Sequence, residues 1–349
     1  MKAGSILSLD IGPILIKGVL GKEVKNGLKI EEAFMFNTPE GTVADGHIVD
    51  LAGLGMEIRK QLKTRKITPK RVVFTITSTE VVTRELLLPS VKNKEIAQMI
   101  AFEVDKLLPI QMDQYILAYS VLAKVVTEDT TVKSRVLVAA MPKAMAQGYW
   151  WLAGKLQLKP LSLTIHACSI AQLFQEEMQL NGKDFDLGMK AVFLDIGYSF
   201  TECNVIHKGN LLFHRTINMG DRSLITETGF YDLDDKKIGV DRFSKEEHSV
   251  AENTQGQGPA AIKIESLGTW LQEIRRVLWY FSSLNPENKL EKIILTGECT
   301  DIPGLAEYVT EIMEIPAEVL DSISIVNREK DWKNSLKYYL NAIGAIKRK

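Results

Sequence analysis

Two short stretches of this chain place a carboxylate and a glycine where phosphate or metal chemistry could be done. Ser8–Val19 reads SLDIGPILIKGV, and Phe193–Thr201 reads FLDIGYSFT. In each, an apolar run ends in Asp-Ile-Gly, at Asp10–Gly12 and Asp195–Gly197, and a second run follows. A strand–turn–strand of this kind can aim backbone N–H groups at phosphate oxygens. Its aspartate can hold Mg²⁺ through water, because magnesium dehydrates reluctantly. Glycine permits the close backbone approach. One such turn is the composition of an ordinary hairpin. Two copies, one opening each half of the chain, form a candidate site. A third stretch, Ile293–Leu305 (IILTGECTDIPGL), reads as strand, glycine turn and helix, a common nucleotide-contact geometry.

Other chemistries find less support. His166 lies in an apolar stretch and reads as a satisfied core histidine on a strand. His207 and His214 lie across a predicted hairpin, but two histidines alone make a poor metal site. No Ser/His/Asp or Cys/His arrangement is recognisable. The three cysteines, Cys168, Cys203 and Cys299, form no CxxC pair and suit a reducing compartment. Lys and Arg number 43 against 44 Asp and Glu, a formal charge of −1, which gives no global basic face for nucleic acid. No apolar run approaches the roughly 20 residues that span a bilayer. Met1–Ser5 does not read as a signal peptide, so the expectation is a cytoplasmic protein.

The elements that must position the two turns follow from periodicity. At 349 residues, with 45% hydrophobic and 25% charged residues, the chain has room for two lobes. Ser5–Leu9, Ile14–Leu20 and Gly27–Phe36 predict a meander, Asp50–Lys63 a helix and Arg71–Ser78 a buried strand. Val81–Leu88, a helix over Lys94–Leu108 capped by Asn93, and strands at Tyr115–Val126 and Lys133–Met141 predict a compact α+β module at about 80–142, inserted in a first lobe of residues 1–190. Lys143–Leu156 reads as a helix carrying Trp150 and Trp151, expected in the core, and Pro160–Ile165 as a strand. The polar Asn181–Gly188 marks the boundary to a second lobe, 191–349, which repeats the opening hairpin. Within it a polar subdomain spans about 218–285 and ends in the amphipathic helix Ser266–Leu284, on whose polar side Arg275 and Arg276 lie. Lys292–Thr296 predicts a strand, and Ile302–Glu314 and Lys333–Ile346 predict helices.

In order along nearly the whole chain, LDIGPILIKGVLG, LLLPSVKNKEIAQMIAFEVDKLLP, LDIGYSFTECNVI, INMGDRSLITE, WLQEIRRVLWYF and LTGECTDIPGL resemble the actin-like ATPase superfamily of actin, sugar kinases, heat-shock chaperones and the division protein FtsA. The second of these favours, within it, the PilM family of type IV pilus assembly. The resemblance implies an α/β, two-lobed actin-like fold, a ribonuclease H-like duplication with an α+β insertion in the first lobe. It implies a cleft for ATP and Mg²⁺, with Asp10, Gly12 and Lys17 in the first phosphate loop and Asp195, Gly197 and Thr201 in the second. Gly220 would start a turn near the nucleotide, Gly297 would lie by the adenine, and Asp10 and Asp195 would hold the magnesium through water. Lys17 reads equally as a structural cation near Asp195.

The resemblance further implies an adaptor that docks the N-terminal segment of a PilN-like bitopic inner-membrane protein. Its groove would lie between the first lobe and the insertion, near Phe102, Leu107 and Leu108. Pilus motor and platform proteins and self-association are also implied, with the inner membrane reached through partners. The chain departs from the pattern in four places. Pro13-Ile14-Leu15 follows the first Asp-x-Gly, Asp221 follows Gly220, Glu298 follows Gly297, and no Glu-x-x-Lys element is clear near Phe243–Ser249. These departures predict a retained cleft with no assigned catalytic residue and weak or absent ATPase activity. The alternatives are a working ATPase or phosphotransferase, and an FtsA-like filament-forming, membrane-associated protein.

Overall fold

The structure, a computed structural model, describes residues 4–91, 93–107, 111–126, 130–220, 264–285, 287–328 and 335–347. Two mixed sheets dominate it. The first has six strands in the order Lys159–Ile165, Arg71–Ile76, Ile6–Ile11, Leu15–Val24, Gly27–Asn37 and Val326–Arg328. The second has five, in the order Asn210–Ile217, Thr201–His207, Ala191–Ile196, Lys292–Gly297 and Ala317–Val319. Their central strands, Ile6–Ile11 and Ala191–Ile196, are buried along their whole length. A strand covered on both faces is largely apolar, and this is why the two Asp residues stand out near their ends.

The duplication holds at the level of register. Asp10 pairs across the sheet with Lys17 and, on its other side, with Thr75. Asp195 pairs in the same way with Glu202 and Thr296. Each hairpin turn closes identically: Gly12 N–H donates to the Leu15 carbonyl (3.0 Å) and Gly197 N–H to the Phe200 carbonyl (2.9 Å).

The inserted module is the three-stranded sheet Val82–Pro89, Val132–Pro142 and Tyr115–Val126 with the helix Asn93–Leu107. It has its own small core, in which Ile96, Ile100 and Val104 of the helix meet Leu86, Leu88, Val136 and Val138 of the strands. Leu51–Thr64 is the predicted amphipathic helix: Leu54, Ile58 and Leu62 face inward, and the Asp50 carboxylate caps it by accepting from the Ala52 and Gly53 N–H groups (2.9 and 3.0 Å).

Between the sheets one core is shared. Ile6, Val19 and Leu28 of the first sheet and Phe193, Ile206 and Ile294 of the second pack into one apolar cluster with Ile170, Phe174, Ile343 and Ile346. The helices His166–Leu173 and Leu340–Gly344 supply that joint.

Several sequence expectations change. His166 is the first residue of a helix, not a strand residue. Trp150 and Trp151 are 66% and 54% exposed and not in the core, because their helix buries Met145, Tyr149, Leu152 and Leu156 instead. Asn181–Gly188 is no bare linker. It holds the turn of a small hairpin, Met178–Leu180 with Lys183–Phe185, and the Asn181 carboxamide oxygen accepts from the Asp321 and Ser322 N–H groups. The helix expected at Ile302–Glu314 runs over Leu305–Met313 and is preceded by a 3₁₀ turn, Glu298–Asp301. The terminal helix shrinks to a 3₁₀ turn at Leu336–Tyr338 and the helix Leu340–Gly344. Residues 221–263, most of the expected polar subdomain, lie outside the described residues, as does the Phe243–Ser249 stretch.

Gly344 sits where a side chain has no space, since a Cβ there would run into the Ser169 carbonyl of the crossing helix. Gly344→Ala is expected to cost roughly 1–3 kcal/mol by overpacking, read as a lower urea midpoint with unchanged slope.

Candidate functional site

The two Asp-Ile-Gly turns face each other across a cavity of about 60 Å³, lined also by Pro13, Ile14, Thr77, His166, Tyr198 and Glu298. Asp10 and Asp195 reach it because each is the next-to-last residue of a central strand, beside the turn that follows. Between them lies the His166 imidazole, carried in by the first turn of its helix. Its Nε2 is 2.7 Å from Asp10 Oδ1, and its Nδ1 is 3.1 Å from Glu202 Oε2 and 3.7 Å from Asp195 Oδ2.

Lys17 lies 3.9 Å from Asp10 Oδ2 and reaches across the cleft to pair closely with Glu298. Thr77 Oγ1 donates to Glu202 Oε1 at 2.7 Å. Asn341 Nδ2 donates to Asp195 Oδ2 at 2.7 Å, and the Thr296 hydroxyl to Asp195 Oδ1 at 3.3 Å. His166–Glu202, His166–Asp195, Thr77–Glu202 and Lys17–Glu298 all join the first-lobe side to the second sheet. The two lobes are therefore held at their cleft by ion pairs and a charge-assisted hydrogen bond.

Burial alone would neutralise these groups. It raises Asp10, but the His166 and Lys17 cations more than reverse that and hold its carboxyl below the ordinary range. Burial likewise raises Glu202, and His166 beside it brings it below its usual value. Burial lowers His166, but Asp10 and Glu202 outweigh it and keep the ring protonated well above its ordinary pKa. Lys17 is raised despite burial, by Glu298, Asp10 and Asp195. Asp195 goes the other way: burial raises it, and Lys17 and His166 offset that only in part. His214, on the next strand, is depressed by burial, and its Nδ1–H donates to Asn204 Oδ1 at 2.8 Å.

Of the residues the sequence singled out, Asp10, Gly12, Lys17, Asp195 and Gly197 line this cavity together. Gly12 and Gly197 spend their N–H groups closing their own hairpins. Thr201 is turned into the second lobe, where its hydroxyl donates to the Met219 carbonyl (2.7 Å) and accepts from the Trp270 indole (2.8 Å). Gly220 and Gly297 pack against the second turn, and a Cβ on either would collide with the backbone of Ile196–Phe200; Gly297 also has φ +95°. His207 and His214 do not face each other, since their cross-strand partners are Asn210 and Asn204. Lys347 of the basic tail is packed inward, 3.4 Å from Glu176. Phe102 is 62% exposed on the module helix, with Lys106 Nζ 3.7 Å from its ring centre. The Leu107 side chain and Leu108 lie outside the described residues.

Sequence reasoning missed His166, Glu202, Thr77 and Asn341 as members of the site, and placed Glu298 at the cleft without its partner Lys17. The signal for Glu202 was present. It stands seven residues after Asp195, as Lys17 stands seven after Asp10, so the duplicated register assigns it the equivalent place.

Two sheets built on one hairpin-and-parallel-strand plan, closing on paired Asp-x-Gly turns and carrying an α+β module in the first lobe, define an actin-like ATPase fold. The chain superposes on a solved PilM–PilN type IV pilus biogenesis complex with TM-score 0.74 at 18% identity, covering 98% of this chain and 97% of that one. It superposes on the ethanolamine utilization protein EutJ from Carboxydothermus hydrogenoformans with TM-score 0.50 at 12% identity, covering 100% and 91%. These likenesses show the fold. The family follows from the sequence itself: residues 8–348 match the model for type IV pilus assembly protein PilM, and the chain belongs to that family.

Removing the shared cation leaves buried carboxylates unpaired, which costs roughly 3–5 kcal/mol. His166→Gln should therefore melt well below wild type at pH 7. The pH profile carries a second signature. Stability from the raised His166 is complete below its unfolded pKa of about 6.5 and is lost as pH climbs through its higher folded value. Asp195, also raised, weakens the fold in the same direction. Asp10 and Glu202, both depressed, contribute above about pH 4 and lose that contribution as pH falls through their lower folded values. Wild-type melting temperature should decline on the alkaline side, and the His166→Gln profile should be flatter there. Parallel profiles would show that His166 carries no charge in the fold.

Proposed function

We propose that this chain is a PilM-type adaptor of type IV pilus assembly, and that it docks the N-terminal segment of a PilN-like bitopic inner-membrane protein on the inserted module. The supporting observation is family membership across residues 8–348 together with a fold matching a structure solved as a PilM–PilN complex. The module offers exposed apolar side chains, Phe102 on its helix and Leu87 and Ile116 on its strands. An extended segment can use such anchors while ordering on binding. Among the described residues no helix is long and apolar enough to cross a membrane. In this reading the protein works on the cytoplasmic side of the inner membrane and is held there by its partner. Contacts with pilus motor and platform proteins, and self-association, belong to the same proposal.

The cleft takes a structural role in this reading. Nucleotide sites commonly measure about 300–1,000 Å³, against about 60 Å³ here. Four carboxylates, Asp10, Asp195, Glu202 and Glu298, face it with two cations, Lys17 and His166, already paired to them. Pro13 lacks an N–H, Ile14 and Leu15 lack side-chain donors, and the Gly12 and Gly197 N–H groups are taken. This donor set does not fit a polyphosphate, so no step is assigned to Mg·ATP. The cleft instead braces the lobes that carry the docking module.

Calorimetry of the full chain with a PilN-like N-terminal peptide is expected to give saturable binding. Phe102→Ala should weaken it about tenfold or more, as expected when an aromatic anchor is truncated. The Mg·ATP titration in parallel is expected to show no micromolar binding. Micromolar Mg·ATP affinity with turnover, and no peptide binding, would sink the adaptor reading in favour of a working ATPase.

A further inference from the structure

We propose that the lobe junction binds one divalent transition-metal ion of the zinc class, held by His166 Nδ1, Asp195 and Glu202. The three donors come from three elements: the start of the helix His166–Leu173, the end of the strand Ala191–Ile196 and the strand Thr201–His207. All three are buried, and their ligand atoms lie within 4.8 Å of one another. The spacings from Nδ1, 3.1 and 3.7 Å, bracket the edge of a tetrahedron with bonds near 2.0 Å, which is about 3.3 Å.

The surroundings of these atoms are those of a metal site. Imidazoles bound to metals characteristically give their other ring nitrogen to a carboxylate. Here Asp10 Oδ1 sits 2.7 Å from Nε2, which turns Nδ1 toward Asp195 and Glu202. Glu202 is steadied on one oxygen by Thr77 and Asp195 by Asn341. Glu202 Oε2 is buried without a hydrogen bond, although Nδ1 is 3.1 Å away, so the ring N–H does not point along that line. Its one counter-charge is the imidazolium, paired with it without hydrogen-bond geometry, and a dication taking the ring proton's place would meet the same oxygen more strongly. With the imidazole neutral, four carboxylates face only Lys17, and a dication restores most of the balance. The adjoining cavity of about 60 Å³ has room for roughly two waters to complete the coordination.

The donor types select the metal. One imidazole with two carboxylates suits zinc, cobalt, nickel or iron, whereas Mg²⁺ favours oxygen donors and retained water. The site thus differs in class from a magnesium–nucleotide site, and it does not depend on peptide docking. Because the imidazole binds as the neutral ring, one proton leaves for each ion taken up. The ion would tie helix and second sheet together, stabilising the closed lobes by mass action.

The test is Co²⁺ titration of the metal-free, full-length chain. One equivalent should produce visible d–d bands of a low-symmetry N/O site, one equivalent of Zn²⁺ should displace them, and Zn²⁺ should raise the melting temperature. Glu202→Gln keeps the shape and removes the ligand charge, and should lose binding at least 100-fold. Asp10→Asn, a positioning change, should weaken it about 10–100-fold. His207→Gln, at the far, half-buried end of the hairpin, should leave it unchanged. Three outcomes overturn the proposal: no saturable Co²⁺ binding to wild type, binding that Glu202→Gln leaves intact, or displacement of Co²⁺ by equimolar Mg²⁺. His166→Gln serves as a second ligand variant wherever circular dichroism shows that it folds.

Discussion

A buried imidazole stays charged only if carboxylates surround it, and buried carboxylates stay ionised only if cations reach them. At the lobe junction His166 and Lys17 meet that mutual requirement with Asp10, Glu202 and Glu298. Much else follows from keeping this cluster dry and aligned. The central strands must end where their aspartates face each other, and the helix beginning at His166 must point its first turn into the gap. Asn341, from the last helix, must close over Asp195. The cluster joins the lobes across the cleft between the two Asp-Ile-Gly turns.

The duplication explains how such a junction arises. Two hairpins of equal register place residue seven after each aspartate beside it, Lys17 in one sheet and Glu202 in the other. Equal geometry with opposite charge turns two similar loops into complementary surfaces. The apolar joint works alongside. Phe174 packs at 4.4 Å, rings tilted by 47°, against Phe193 of the second sheet, and the returning helix Leu340–Gly344 crosses His166–Leu173 at Gly344. Lobe closure thus rests on packing at the back and on charge at the cleft.

The legible part of the fold was its periodicity. Largely apolar runs leading into Asp, the stripe Leu54, Ile58 and Leu62, and the strand–helix–strand–strand module read directly from local pattern. Five of the singled-out residues, Asp10, Gly12, Lys17, Asp195 and Gly197, meet at one cavity because the strand ends that carry them are themselves local features. Illegible were the partners that arrive from far along the chain. His166 looked like a core residue because its neighbours are apolar, and nothing local shows that a helix starts at it and carries its ring into the cleft. The tryptophan pair at 150–151 looked like core by composition, yet helix phase turned it outward.

Sequence by itself therefore determined the duplicated frame, the inserted module and the lack of side-chain donors at Pro13-Ile14-Leu15, since each depends on residue type and short-range spacing. Tertiary structure alone decided what fills the cleft. It brought Val326–Arg328 back to the edge of the first sheet, set Asn341 over Asp195 and placed His166 among three carboxylates. Charge compensation is a property of distances between residues remote in the chain, and only the folded backbone sets those distances.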